Sequence, residues 1–177
     1  MTNVFILPGL GNSGEQHWQT IWQTLYPEWQ RIMQDDWETP LCADWVRRID
    51  ETLATVREGT AVLVAHSSSC VAVAHLAQMT THRIKGALLV APSDPLGAAY
   101  PPGPQGFAPV PLVRLPFPSI VVASEDDEYI ALEQARQYAE AWGSRFVNIG
   151  AKGHINSTSG LGEWREGLAL LETLIAL

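Results

Sequence analysis

Residues 62–70 read VLVAHSSSC, an apolar run that stops abruptly in a histidine and three serines. Ala61–Ala65 has the composition of a buried strand, and the small residues of Ser68–Gln78 read as a helix packed close behind it. A serine at such a sharp strand-to-helix turn is held in a strained backbone conformation, with its Oγ exposed above the sheet. The positions two before and two after it must be small, because strand and helix approach closely there. Ser67 meets that condition with Ala65 and Ser69 as its flanks. Centring the turn on Ser68 puts His66 two before, and centring it on Ser69 puts Val71 two after; both are too bulky. Ser67 is therefore the candidate nucleophile. The same junction is also an ordinary helix N-cap, so the rest of the chain must supply partners.

Working outward, strand-like runs alternate with helix-like patterns. Val4–Leu7, residues 29–34, Ala61–Ala65, Ala87–Ala91, Ile120–Ala123 and Arg145–Ile149 read as strands. Helices are expected around Gln16–Leu25, along the stripe Trp45, Ile49, Leu53 and Val56, over Ser68–Gln78 and Ile130–Trp142, and at the C-terminus through Trp164, Leu168, Leu171 and Leu174. The strands lack polar alternation, as expected when helices cover both faces of a parallel sheet. Repeated strand–helix units with right-handed crossovers predict a three-layer α/β domain spanning 1–177. Residues 92–118 interrupt the pattern with nine of the 12 prolines, and a loop of that length is either a functional cover or a disordered insert.

The bulk composition narrows the function classes. Net charge is -8, from 11 basic and 19 acidic side chains, with no Lys/Arg cluster, so a nucleic-acid partner is not expected. Cys42 and Cys70 belong to no CxxC pair. The apolar N-terminal run breaks at Pro8, too short for a signal peptide, and nothing approaches the roughly 18 apolar residues of a membrane helix. A cytoplasmic protein without a membrane partner is the expectation.

In open α/β sheets ligands bind beyond the carboxyl ends of the strands. Those ends carry PGLGNS, HSSSC, PSD, SEDDEY and GAKGHIN. A nucleophilic serine needs a base and an acid to orient it. His154 follows the sixth strand and Asp127 the fifth, and the chain order Ser…Asp…His is that of α/β-hydrolases. Asp94, after the fourth strand, competes with Asp127, and Glu125, Asp126 and Glu128 crowd it. Among the other histidines, His66 is expected to point away from its neighbour Ser67, His75 and His82 to be surface or packing residues, and His17 to be structural. The backbone N–H groups of Ser68 and Leu10 are the expected donors to a developing oxyanion, with Gly9 and Gly11 allowing a tight approach.

The stretches LPGLGNSGEQHW, DDWETP, AHSSSC, LVAPSD, GFAPVPLVRLPFPSIVVASEDDEY and KGHIN together span nearly the whole chain. In them the chain resembles the small serine hydrolases related to retinoblastoma-binding protein nine, a compact branch of the α/β-hydrolase superfamily. That resemblance implies Ser67 as nucleophile, Asp127 as triad acid and His154 as base. Two positions depart from the pattern: Ser68-Ser69 replaces the usual leucine-glycine after the nucleophile, and Glu128 replaces the usual proline after the acid.

The expectation is thus an α/β-hydrolase fold with about six parallel strands ordered 2-1-3-4-5-6 and helices on both faces. The expected activity is hydrolysis of a small ester through an acyl-enzyme, with no metal or organic cofactor. An aminopeptidase-like amidase and a non-catalytic protein-binding module are the alternatives, although no feature of the sequence indicates a protein partner. The acidic run Glu125–Glu128 leads to the expectation of a substrate that is uncharged or cationic near its acyl group.

Overall fold

The computed structural model describes residues 1–177. Six strands, β1 (Asn3–Leu7), β2 (Gln30–Arg31), β3 (Ala61–His66), β4 (Ile84–Val90), β5 (Ser119–Ala123) and β6 (Arg145–Asn148), form one sheet in the order β2-β1-β3-β4-β5-β6. Every pairing is parallel, as the sequence predicts. The central strand β3 is buried along its whole length, which is why it carries no polar alternation.

Five α-helices cover the sheet: α1 (Trp18–Leu25), α2 (Cys42–Leu53), α3 (Ser68–Leu76), α4 (Leu132–Trp142) and α5 (Arg165–Ile175). Strand periodicity divides the core in two. Phe5, Leu7, Leu63, Ala65, Leu89 and Val121 face one layer with Trp45 and Ile49 of α2, Val71 and Ala74 of α3, and Ala139 and Trp142 of α4. Val4, Ile6, Val62, Val64, Leu88 and Val122 face the other, where Trp18 and Trp22 of α1 meet Trp164, Leu171 and Leu174. The Trp22 and Trp164 rings stack at 5.7 Å, and Trp18 meets Trp164 edge-on at 5.0 Å.

Several boundaries differ from the sequence reading for local reasons. Strand β2 keeps only two residues, because this edge strand pairs with Phe5 and Ile6 alone. Strand β4 begins at Ile84, before the apolar run. Its Lys85 is accommodated by donating from Nζ to the Ile175 carbonyl and the Thr2 hydroxyl, and a Cβ on Gly86 would stand 3.2 Å from Leu174 Cδ2. Helix α2 stops at Leu53, so Val56 packs from the following turn. Helix α1 starts at Trp18, with His17 as its N-cap.

The proline-rich segment is ordered as a cover. Phe107, Leu115 and Phe117 are buried in the layer of α2, α3 and α4. His75 donates from Nε2 to the Phe107 carbonyl at 3.0 Å, and the Leu115 N–H donates to the Trp142 carbonyl at 3.0 Å. No helix is long and apolar enough to cross a membrane.

The strand register sets up the site. Leu7 pairs with Ala65, Ala65 with Leu89, Val90 with Val122, and Val122 with Val147. The carboxyl ends of five strands therefore lie level, and the segments that follow them converge above the sheet.

Candidate active site

Ser67 sits between β3 and α3 at φ 58°, ψ -126°, a conformation that costs an L-residue about 1–3 kcal/mol. The turn is pinned on both sides: the Ser67 N–H donates to the Val90 carbonyl at 3.0 Å, and the Cys70 N–H donates to the Ser67 carbonyl at 3.0 Å. The first loop lies hard against it. A Cβ on Gly9 would stand 2.7 Å from Ser67 Cβ and 3.3 Å from its Oγ, so only glycine fits. Next to it, Leu10 lines the cavity in front of Ser67. As the first residue of α3, Ser68 has no intrahelical acceptor for its N–H. The hydroxyl of Ser69 donates to the Pro8 carbonyl, tying the helix to the loop that carries Gly9 and Leu10.

Three side chains from three strand ends form a line. Ser67 Oγ is 2.8 Å from His154 Nε2, and His154 Nδ1 is 2.9 Å from both Oδ1 and Oδ2 of Asp127. The Asp127 side chain is 1% exposed, and its Oδ1 also accepts from the Tyr129 N–H at 2.9 Å. Asp94, the competing acid, turns away: its Oδ1 accepts from the Leu96 N–H at 3.0 Å.

The loop that carries His154 is clamped from four directions. Asp126 Oδ1 accepts from the Gly153 N–H at 2.7 Å, and the Ser124 hydroxyl accepts from the Lys152 N–H at 2.8 Å. The Gly153 bond is the main reason the Asp126 carboxyl titrates below the usual carboxylate range. Trp18 Nε1 donates to the Ile155 carbonyl at 2.8 Å. His66 Nε2 donates to the His154 carbonyl at 2.9 Å. His66 thus does not point away from the site. Its ring lies 4.9 Å from that of His154, because the turn at Ser67 ends the strand alternation there.

The cavity around Ser67 measures about 260 Å³. His17 lines it, contrary to the structural role expected from the sequence. Its Nδ1 accepts from the Gln19 N–H at 3.2 Å, so the neutral ring carries its hydrogen on Nε2, and that buried atom has no partner. Burial, with smaller contributions from Arg31 and His154, pushes its pKa down to about 3. Burial also holds His66 well below the ordinary histidine range. None of Glu125–Glu128 lines the cavity. Asp126 is spent on Gly153 and Ser124, and Glu125 accepts from the Asn148 side chain at 2.9 Å. Of the two alternatives expected from that run, an uncharged or a cationic substrate, the cationic one thus finds no carboxylate in the cavity lining.

Two contributors escaped the sequence reading. Ser93 Oγ lies 2.7 Å from Ser67 Oγ; it belongs to the strand-end segment PSD, in which the aspartate alone has the residue type of a triad acid. Tyr100, within the proline-rich cover, places its hydroxyl 3.0 Å from Ser68 Oγ and lines the cavity. No local pattern marks a tyrosine in such a segment.

A family model described as serine hydrolase matches residues 4–173. Among solved structures, a YdeN-like hydrolase of Pectobacterium atrosepticum is 32% identical, over 99% of this chain and 93% of its own, with a TM-score of 0.85. The ydeN gene product of B. subtilis is 19% identical, over 100% of both chains, with a TM-score of 0.81. MGS-M1, an alpha/beta hydrolase from a deep-sea metagenome library, is 14% identical over 99% of this chain and 85% of its own, at a TM-score of 0.71; at that identity the likeness is one of fold. No curated protein sequence matches the chain.

Proposed function

The chain belongs to the serine hydrolase family, and on that premise we propose that it hydrolyses small, uncharged, polar esters through Ser67, His154 and Asp127. One observation carries the reading: an unbroken hydrogen-bonded line from Ser67 Oγ through the His154 ring to the buried Asp127 carboxylate, opening on a cavity. His154 takes the Ser67 proton as Oγ attacks the carbonyl carbon, then delivers it to the leaving alcohol. Asp127 fixes the tautomer with Nε2 facing Ser67. The Leu10 and Ser68 N–H groups stabilise the oxyanion, a role supported by the contact of Gly9 with Ser67. Water then releases the acyl group by the same steps.

The cavity supports the substrate class. It falls at or below the range of pockets that hold drug-sized ligands, so the acyl group is short. Its lining includes Asn12, Ser93, Tyr129, Asn156 and Thr158 but no Lys, Arg, Asp or Glu, which disfavours a charged substituent. Cys42 and Cys70, both free and buried, fit the reducing cytoplasm.

The test is a fluorophosphonate probe followed by p-nitrophenyl esters of graded chain length. One adduct on Ser67, absent from Ser67→Ala, and faster turnover of acetate than of octanoate are expected. A folded wild-type protein that takes up no probe would overturn the hydrolase reading, and a preference for octanoate would overturn the substrate class.

A further inference from the structure

Ser67 Oγ has one proton and two close partners, His154 Nε2 at 2.8 Å and Ser93 Oγ at 2.7 Å. Proton counting assigns the direction of each bond. The ionised Asp127 carboxylate only accepts, and both its oxygens face His154 Nδ1, so Nδ1 carries the hydrogen of the neutral ring and Nε2 offers a lone pair. The Ser67 proton is therefore committed to Nε2. The bond between the two hydroxyls must then run from Ser93 to Ser67.

We propose that Ser93 is a further catalytic residue of this hydrolase: its hydroxyl donates to Ser67 Oγ and stabilises the negative charge that gathers there as the proton leaves for His154. The proposal rests on the serine-hydrolase reading above. In acylation the Ser67 O–H bond breaks, the proton passes to Nε2, and Oγ bonds to the carbonyl carbon. Once that bond is made, Oγ is an ester oxygen and a poor acceptor. In deacylation the C–Oγ bond breaks, charge returns to Oγ, and Ser93 meets it again. The Ser93 O–H bond stays intact throughout, so the residue acts by electrostatic stabilisation of the same atom in both half-reactions.

The surroundings hold Ser93 ready for this. It is 1% exposed and lies two residues past Ala91, whose φ of 48° bends the chain out of β4. The Ala91 N–H donates to the Val122 carbonyl at 2.8 Å, and the Asp94 N–H donates to the Tyr129 carbonyl at 3.0 Å. The segment bearing Ser93 is thereby fastened to β5 and to the loop that carries Asp127. The acid and the extra donor share one support.

The experiment compares Ser93→Ala and Ser93→Cys with the wild type. Cysteine keeps the shape of serine with a somewhat larger sulfur, and its S–H is a weak donor, so it leaves no cavity and keeps the test valid if the alanine variant folds poorly. Three quantities are read: the second-order rate of fluorophosphonate capture at Ser67, kcat and KM for p-nitrophenyl acetate, and Tm. Loss of a single donor aimed at developing charge costs on the order of 10²-fold. Both variants should therefore capture probe and turn over ester roughly tenfold to a hundredfold more slowly, with KM unchanged and Tm of the cysteine variant near that of the wild type. Wild-type capture rates in either folded variant, or a loss confined to KM, would overturn the role of Ser93. A wild-type protein that captures no probe fails the hydrolase reading instead, so the two failures are distinguishable.

Discussion

Gly9 and Ser67, on neighbouring strand ends, touch so closely that a Cβ on the first would stand 2.7 Å from Cβ of the second. Backbone, rather than a flexible side-chain tip, has to yield if that space is filled. Gly9→Ala should displace either Ser67 or the loop bearing the Leu10 N–H. A shift of ~1 Å in such a site costs about a hundredfold in rate, and overpacking costs roughly 1–3 kcal/mol of stability. Measuring kcat/KM and the urea midpoint checks both. An alanine variant with wild-type kcat/KM would show that the first loop takes no part in catalysis.

Asp127 and Asp94 make opposite predictions. Removing the acid that orients a triad histidine costs on the order of 10⁴ in turnover. Asp127→Asn should approach that loss, while Asp94→Asn should leave most activity, since Asp94 only caps its own turn through Leu96. Asp126→Ala should fall between them, because it frees the Gly153 N–H beside His154; a fall of roughly tenfold fits a small displacement. Steady-state kcat for the three variants decides the order.

Ser69 occupies the position where glycine is usual. On volume alone, Ser69→Gly and Ser69→Ala would be tolerated. Its hydroxyl, however, tethers the Pro8 carbonyl, so both variants should release the first loop and lower kcat about tenfold, by the same positional argument. The glycine variant should lose up to ~1 kcal/mol more stability than alanine through unfolded-state entropy. Ser69→Val should be worst, losing the tether and overpacking a residue that is 2% exposed. Full kcat in Ser69→Ala would make the hydroxyl a spectator.

His17 and His66 predict acid lability. Both rings are buried and resist protonation in the folded protein, His17 down to about 3. The unfolded chain takes up those protons as pH falls through the ordinary value near 6.5. The unfolded state then binds more protons than the native one, so stability is full above that pH and declines below it, by up to ~1.4 kcal/mol per pH unit for each ring. Between pH 5 and 6.5 carboxylates contribute little, so the slope of the urea midpoint there reports the histidines. His17→Asn, which keeps an acceptor for the Gln19 N–H, should flatten it.

How far the chain could be read depends on which physical signal each feature leaves. Apolar runs without polar alternation, broken by turn residues, report burial on both faces of a strand. The six strands and the helices of both layers were legible from that signal, whereas the strand order was an expectation that came with the resemblance to α/β-hydrolases. The small residues around Ser67 report a close strand–helix approach, and the strand-end positions of Asp127 and His154 gave the chain order. Edges were less legible. Lys85 reads as polar, yet lies within β4 because its long side chain reaches the Ile175 carbonyl.

What the sequence determined by itself is therefore the set of groups that local pattern and topology bring to the carboxyl end of the sheet: Ser67, His154, and an acid from the fourth or fifth strand. Tertiary structure alone decided which atoms touch. It set Asp127 rather than Asp94 against His154, brought His66 and His17 to the cavity, laid Ser69 on the Pro8 carbonyl, and set Ser93 against Ser67. Periodicity encodes which face of an element is buried, whereas these contacts join residues 26 to 88 positions apart on different loops. Their distances depend on how strand register and loop hydrogen bonds add together across the sheet, and no single stretch of residues carries that sum.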